Sequence, residues 1–126
     1  MKQTNSNFLS KVEPIHFPYK GGVHKFQPEQ IIRLQADSNY THIYLMDQKH
    51  VLMATVLRTY ESILRPFGFV RTHRSHLVNK SHVREIQPGG ILMMQDESCV
   101  EISRRKKASN HKLFQSNFQT LEIAAL

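Results

Sequence analysis

The feature that most constrains this chain is a succession of short runs with strand character, cut at close intervals by turn-forming residues. From Ile15 onward the runs are IHFPY, VHKF, IIRLQA, YTHIYLM, VLMA, FVRTHRSHLV, VREI, ILMM and CVEI. Between them stand Gly21-Gly22, Pro28, Asp37-Ser38-Asn39, Asp47-Gln48-Lys49, Gly68, Pro88-Gly89-Gly90 and Asp96-Glu97. These residue types supply the left-handed or fixed backbone angles that reversals need. Many short strands at this spacing predict a mainly β fold of stacked sheets or a sandwich, not alternating βαβ units.

Two segments depart from the strand pattern. In TVLRTYESILRP the apolar residues Val56, Leu57, Tyr60, Ile63 and Leu64 fall at helical spacing, with Thr55 as N-cap and Pro66 as stop. That spacing predicts a short amphipathic helix packed on a sheet. The segment SRRKKASNHKLFQSNFQTL sets Leu113, Phe114, Phe118 and Leu121 at spacings that a second helix would place on one side.

A chain of 126 residues builds one domain, since two cores would leave each half too small. The first residues, to about Lys11, are rich in Asn, Ser, Lys and Gln and lack periodicity, so residues 1–20 read as a flexible leader with a possible first strand. Residues 21–115 hold the folded domain and 116–126 a C-terminal tail. No apolar run approaches the ~20 residues that cross a bilayer, and the opening MKQTNSNFLSKVEPIH has no continuous apolar stretch of a secretory signal. A cytoplasmic location is expected, with no membrane partner. The single cysteine, Cys99, excludes an internal disulfide framework and reads as a small half-buried strand residue.

Charge narrows the class of partner. Seventeen Lys and Arg against ten Asp and Glu give a net charge of +7, which points first to nucleic acid. The cations cluster. Arg71, Arg74, Lys80 and Arg84 lie with His73, His76 and His82 in a stretch without an acid, and Arg104-Arg105-Lys106-Lys107 forms a second group. If Ser103 caps a helix, four positive charges fill its first turn, where the helix dipole itself is positive. Local stability would not choose them; a phosphate bound there would relieve the repulsion.

The blocks EQIIRLQADSNYTHIYL, VLRTYESIL, FVRTHRSHLVNKSHVREI and VEISRRKK resemble, in order and spacing, the successive blocks of the LytTR family of bacterial transcription-regulator output domains. The resemblance covers about Val23 to Leu113, and FVRTHRSHLVN is its most specific block. It implies an elongated stack of small antiparallel sheets with one or two short helices. It also implies sequence-specific binding of double-stranded DNA, the major groove being read by loop side chains at promoter direct repeats, with a second copy of the domain on the adjacent repeat.

The base-contacting positions implied by the resemblance fall on Asn39 or Tyr40, on Arg74, and on Arg104, with Arg105 able to exchange roles with it. Arginine suits guanine, whose O6 and N7 accept its fork, and Asn39 would bond adenine in the same bidentate way. Locally, Asn39 also reads as a plain turn residue and Tyr40 as a strand-face aromatic. His73, His76, Lys80, Lys106 and Lys107 are assigned to phosphates. Arg33 and Gln35 depart from family usage, which bears on packing under the reading loop. Many such proteins carry a receiver domain ahead of this module, so the chain reads as a free-standing regulator or an excised domain.

Three other readings compete. Eight histidines raise a metal site, but His73 and His76, three apart in one strand, would point to opposite faces, and no CxxC or HExxH spacing occurs. A nuclease would want clustered carboxylates; the one adjacent pair, Asp96-Glu97, falls in a predicted turn. No catalytic residue, cofactor or small-molecule substrate is expected. The alternative that charge alone leaves open is a basic RNA-binding protein without catalytic activity, although the strands lack the aromatic-rich signature that stacks unpaired bases.

Overall fold

The computed structural model describes residues 14–19 and 22–115; the leader to Lys11, the 116–126 tail, Phe118 and Leu121 lie outside them. The architecture is mainly β, as expected: three small antiparallel sheets and two short helices. Strands β1 (Ile15–Tyr19) and β2 (Gly22–Phe26) form a hairpin. The central sheet has the order β5-β4-β3-β7-β6, with β3 Ile31–Asp37, β4 Tyr40–Leu45, β5 His50–Met53, β6 Phe69–His73 and β7 His76–Asn79. A third sheet joins β8 (Val83–Gln87), β9 (Ile91–Met94) and β10 (Cys99–Glu101) in the order β10-β9-β8. Helix α1 spans Leu57–Leu64 and α2 spans Lys107–Gln115.

Alternation decides which face each strand buries. In β4, Thr41, Ile43 and Leu45 are buried while Tyr40, His42 and Tyr44 point to the other side. The buried face of the central sheet packs Ile31, Leu34, Ile43, Met53 and Leu77 against Phe17 and Phe26 of the hairpin and Leu57, Tyr60 and Leu64 of α1. Tyr60 stacks on Phe17 at 4.7 Å between ring centroids. On the opposite face, Val78 and Val70 meet Val83, Leu92, Met94 and Val100 of the third sheet and Phe114 of α2. The central sheet is thus sandwiched over part of its width, and β3 with its neighbours β7 and β6 is held from both sides.

Several local expectations are corrected. FVRTHRSHLV is not one strand but the hairpin β6–β7, reversing at Arg74-Ser75. Helix α1 begins after Val56, and Thr55 is no N-cap; its carbonyl accepts a hydrogen bond from Thr41 Oγ1 at 2.6 Å. In α2 the inward residues are Asn110 and Phe114, whereas Leu113 is exposed. Cys99 lies in a strand but is exposed, not half-buried.

Candidate nucleic-acid interface

Three chain reversals are fastened to one end of the central sheet. The first joins β3 to β4: Asp37 pairs with Tyr40, and Ser38 adopts a φ of 59° to make the two-residue turn with Asn39. Asn39 is exposed, and Tyr40, the first residue of β4, is 47% exposed. His42 reaches back to the turn, its Nε2 lying 2.9 Å from Asp37 Oδ2 and its Nδ1 2.7 Å from His50 Nε2.

The second reversal is Arg74-Ser75. The Ala36 amide donates to the Ser75 carbonyl at 2.8 Å, so this turn is tied to the end of β3 that carries Asn39. The Ser75 amide donates to His73 Nδ1 at 3.1 Å, fixing the ring beside the turn. Arg71 completes the fastening: its Nε donates to the His73 carbonyl at 2.9 Å, its Nη2 to the Arg74 carbonyl at 2.6 Å, and its Nη1 to Glu61 Oε1 at 2.5 Å. With its main chain held this way, the Arg74 side chain is left exposed.

The third is the turn after β10. The Ser103 amide donates to the Thr72 carbonyl at 2.7 Å, and Lys106 Nζ donates to the Arg71 carbonyl at 3.1 Å. Ser103 occupies the N-cap position but makes no side-chain cap bond, and Arg104–Lys106 form a 3-10 turn ahead of α2. Arg104 and Arg105 are exposed.

These ties bring Arg74, His73, Arg104, Arg105 and Lys106 around one open cavity of about 660 Å³, whose acid is Glu61. Lys107 stands beside it with His73 and Arg104 on a smaller cavity of about 290 Å³. Asn39 and Tyr40 lie at the same sheet end, across β3 and β7 from Arg74. Lys80 is not part of this group: it follows Asn79, at the opposite end of β7 from the Arg74 turn, where its amide donates to the Gly68 carbonyl.

The electrostatics sharpen the charge reading. Glu61, from α1, pairs with Arg71 and Arg65, so the cluster read as acid-free is countered in space by an acid ten residues earlier in sequence. Burial pushes the Glu61 carboxyl up, but hydrogen bonds and charge from Arg65 and Arg71 outweigh it and hold it below its ordinary range. His76 is kept neutral: burial, with help from His73 and Arg33 and against Glu101, lowers its pKa to about 4. A neutral His76 brings no charge to a phosphate.

His73 and His76 do not point to opposite faces as they would in one strand, because the chain reverses between them. They are paired across the β6–β7 hairpin, on one face, with ring centroids 5.4 Å apart. Among the described residues, however, no group of three or more His, Cys, Asp or Glu side chains could hold a metal ion. Sequence reasoning also missed the fastening residues: Glu61 and His42 went unremarked, and Arg71 was counted only as charge. Glu61 and Arg71 meet from a helix and a strand ten positions apart, and His42 finds Asp37 and His50 on the neighbouring strands.

Comparison with known proteins identifies the family and the fold. The family model of the LytTr DNA-binding domain matches residues 21–115. The chain is 31% identical over 65 residues to the transcriptional regulatory protein LytR of Staphylococcus aureus strains N315 and NCTC 8325, covering 52% of this chain and 26% of each relative. The chain therefore spans about a quarter of the length of those curated relatives. A solved LytTr DNA-binding domain from Bacillus cereus superposes with a TM-score of 0.66 at 22% identity, over 80% of this chain and 95% of that one. With its basic reversals gathered at one sheet end and the family model matching three quarters of its length, the chain belongs to the LytTR family of DNA-binding domains.

Proposed function

We propose that this domain is a sequence-specific regulator of transcription that reads the major groove of duplex DNA through loop side chains. Arg74 and Arg104, with Arg105 as alternate, reach guanine edges, and Asn39 or Tyr40 reads a further base. Lys106, Lys107 and His73 meet phosphates; His76, neutral, supports His73; Lys80 takes an outlying phosphate. The observation that carries this reading is the gathering of Arg74, Arg104 and Arg105 around one exposed cavity whose backbone is fastened to the sheet.

Dimensions favour the major groove. The β3–β4 and β6–β7 turns are offset by two strand spacings, about 10 Å, close to three base-pair steps of 3.4 Å each. A major groove about 12 Å wide admits a row of loops of that size. The LytR relatives are named as transcriptional regulators, which supports the assignment to promoter DNA. Two copies of the domain would occupy direct repeats on one face of the duplex.

Selection of bound duplexes from a random pool tests this directly. A single enriched motif, recurring as a spaced repeat and lost to excess unlabelled duplex but not to RNA, is expected. Enrichment without a motif, or better competition by RNA, would overturn the reading in favour of a basic RNA-binding protein.

A further inference from the structure

The geometry points to Arg71 as the positioning residue of the reading surface, through which helix α1 and the turn after β10 are locked to the Arg74 loop. This inference rests on the DNA-reading assignment above and adds to it the device that sets the loop's shape.

Every nitrogen of the Arg71 guanidinium is engaged. Nε and Nη2 hold the consecutive carbonyls of His73 and Arg74, and Nη1 holds Glu61. Two carbonyls on one turn, both aimed at the same cation, fix the peptides on either side of the Arg74 Cα. Arg71 and Glu61 side chains are only 18% and 17% exposed, so the pair is shielded enough for geometry to matter. The Arg71 carbonyl in turn accepts from Lys106 Nζ, and the next carbonyl, Thr72, accepts from the Ser103 amide. Arg74 on one side and Arg104 on the other are therefore both spaced from this one stretch of β6.

The local strand explains why a device is needed. The ladder between β6 and β7 shifts register between Arg71 and His73, so pairing alone does not define the turn. Arg71 supplies the missing bonds at the place where the ladder is irregular. Only a planar fork with several donors can do this; the ammonium of lysine is a point donor on a flexible stem. Arg71 is thus not a DNA contact. Although it lines the open cavity, its charge is balanced by Glu61 and each guanidinium nitrogen is spent on a protein acceptor.

The test compares Arg71→Lys and Glu61→Gln with the wild type on the selected cognate duplex and on scrambled duplex. Arg71→Lys keeps the charge, so nonspecific affinity changes by less than about twofold while cognate affinity falls about tenfold. Glu61→Gln makes the domain more positive. Simple electrostatics would then tighten both duplexes; the brace predicts tighter scrambled binding and weaker cognate binding. Amide exchange at Ser75 and Ser103 speeds up in both variants while the core amides keep their protection.

Equal losses of Arg71→Lys on both duplexes would make Arg71 a phosphate contact and overturn the inference. So would unchanged exchange at Ser75 and Ser103 in Glu61→Gln, which decides the matter should Arg71→Lys fail to fold. A wild type that binds duplex DNA with no preference would instead overturn the reading assignment, leaving amide exchange to judge the brace.

Discussion

The amide of Ala36 donates to the carbonyl of Ser75 at 2.8 Å, and this bond places the Asn39 turn and the Arg74 turn at the same end of one sheet. The spacing of the two turns is consequently a property of the β3–β7 ladder, whose register pairs Arg33 with Val78, Leu34 with Leu77 and Gln35 with His76. A slip of one residue there would turn every side chain of β7 to the other face. In the proposed reading the domain contacts DNA with loops, and the strands set where those loops stand.

Burial under that ladder should dominate stability. Tyr60 is fully buried against Phe17, and Tyr60→Ala is expected to cost about 3–5 kcal/mol through the cavity it leaves. Tyr60→Phe removes only the hydroxyl, which bonds the Thr55 side chain, and should cost about 1 kcal/mol. Denaturant midpoints measure both; equal costs would show that the hydroxyl, not the ring, anchors α1.

Acid should weaken the fold through His76. Its pKa is lowered to about 4 from 6.5, so between those values the unfolded chain takes up a proton that the folded chain excludes. The stability tied to the neutral ring is intact above pH 6.5 and lost as pH falls toward 4. The loss is at most about 3 kcal/mol for a shift of that size, and solvent at the half-buried ring reduces it. Melting temperatures from pH 7.5 to 4.5 should fall less steeply for His76→Gln than for the wild type; parallel curves would contradict this.

The two glycines of the β8–β9 turn separate strain from contact. Both have positive φ, +88° at Gly89 and +79° at Gly90, so alanine at either should cost about 1–2 kcal/mol. Only at Gly90 would the added carbon meet a neighbour, lying 2.5 Å from Lys107 Cε. Gly90→Ala should therefore also displace the Lys107 stem and weaken binding to all duplexes, as Lys107→Ala should, with a salt slope smaller by about one. Binding by Gly89→Ala should match the wild type. Equal binding by both glycine variants would remove Lys107 from the phosphate contacts.

Much of the fold was legible because its signals are local. The runs YTHIYL and ILMM fold as β4 and β9, as their strand character predicts, and turn residues mark most strand ends. The β6–β7 reversal was hidden because Arg74-Ser75 carries no glycine, proline or asparagine, so the run reads straight through. The same oversight separated His73 from His76. The clustering of Arg74 with Arg104 was foreshadowed by charge and family blocks. The Glu61–Arg71 pair was not, since nothing in the intervening residues 62–70 announces that a helix will return its acid to a strand. Cys99 was misjudged because residue type sets only an average burial, while β10 leaves that side open.

The most direct measurement of the central claim is the affinity of Arg74→Ala on the selected cognate duplex and on scrambled duplex, with melting temperature followed alongside. If Arg74 forks onto a guanine, cognate binding should weaken by about 1–3 kcal/mol and preference should relax at one position. Scrambled binding should fall less, and the fold should be unchanged, since the side chain is exposed. Equal losses on both duplexes, or an unfolded variant, would contradict the account.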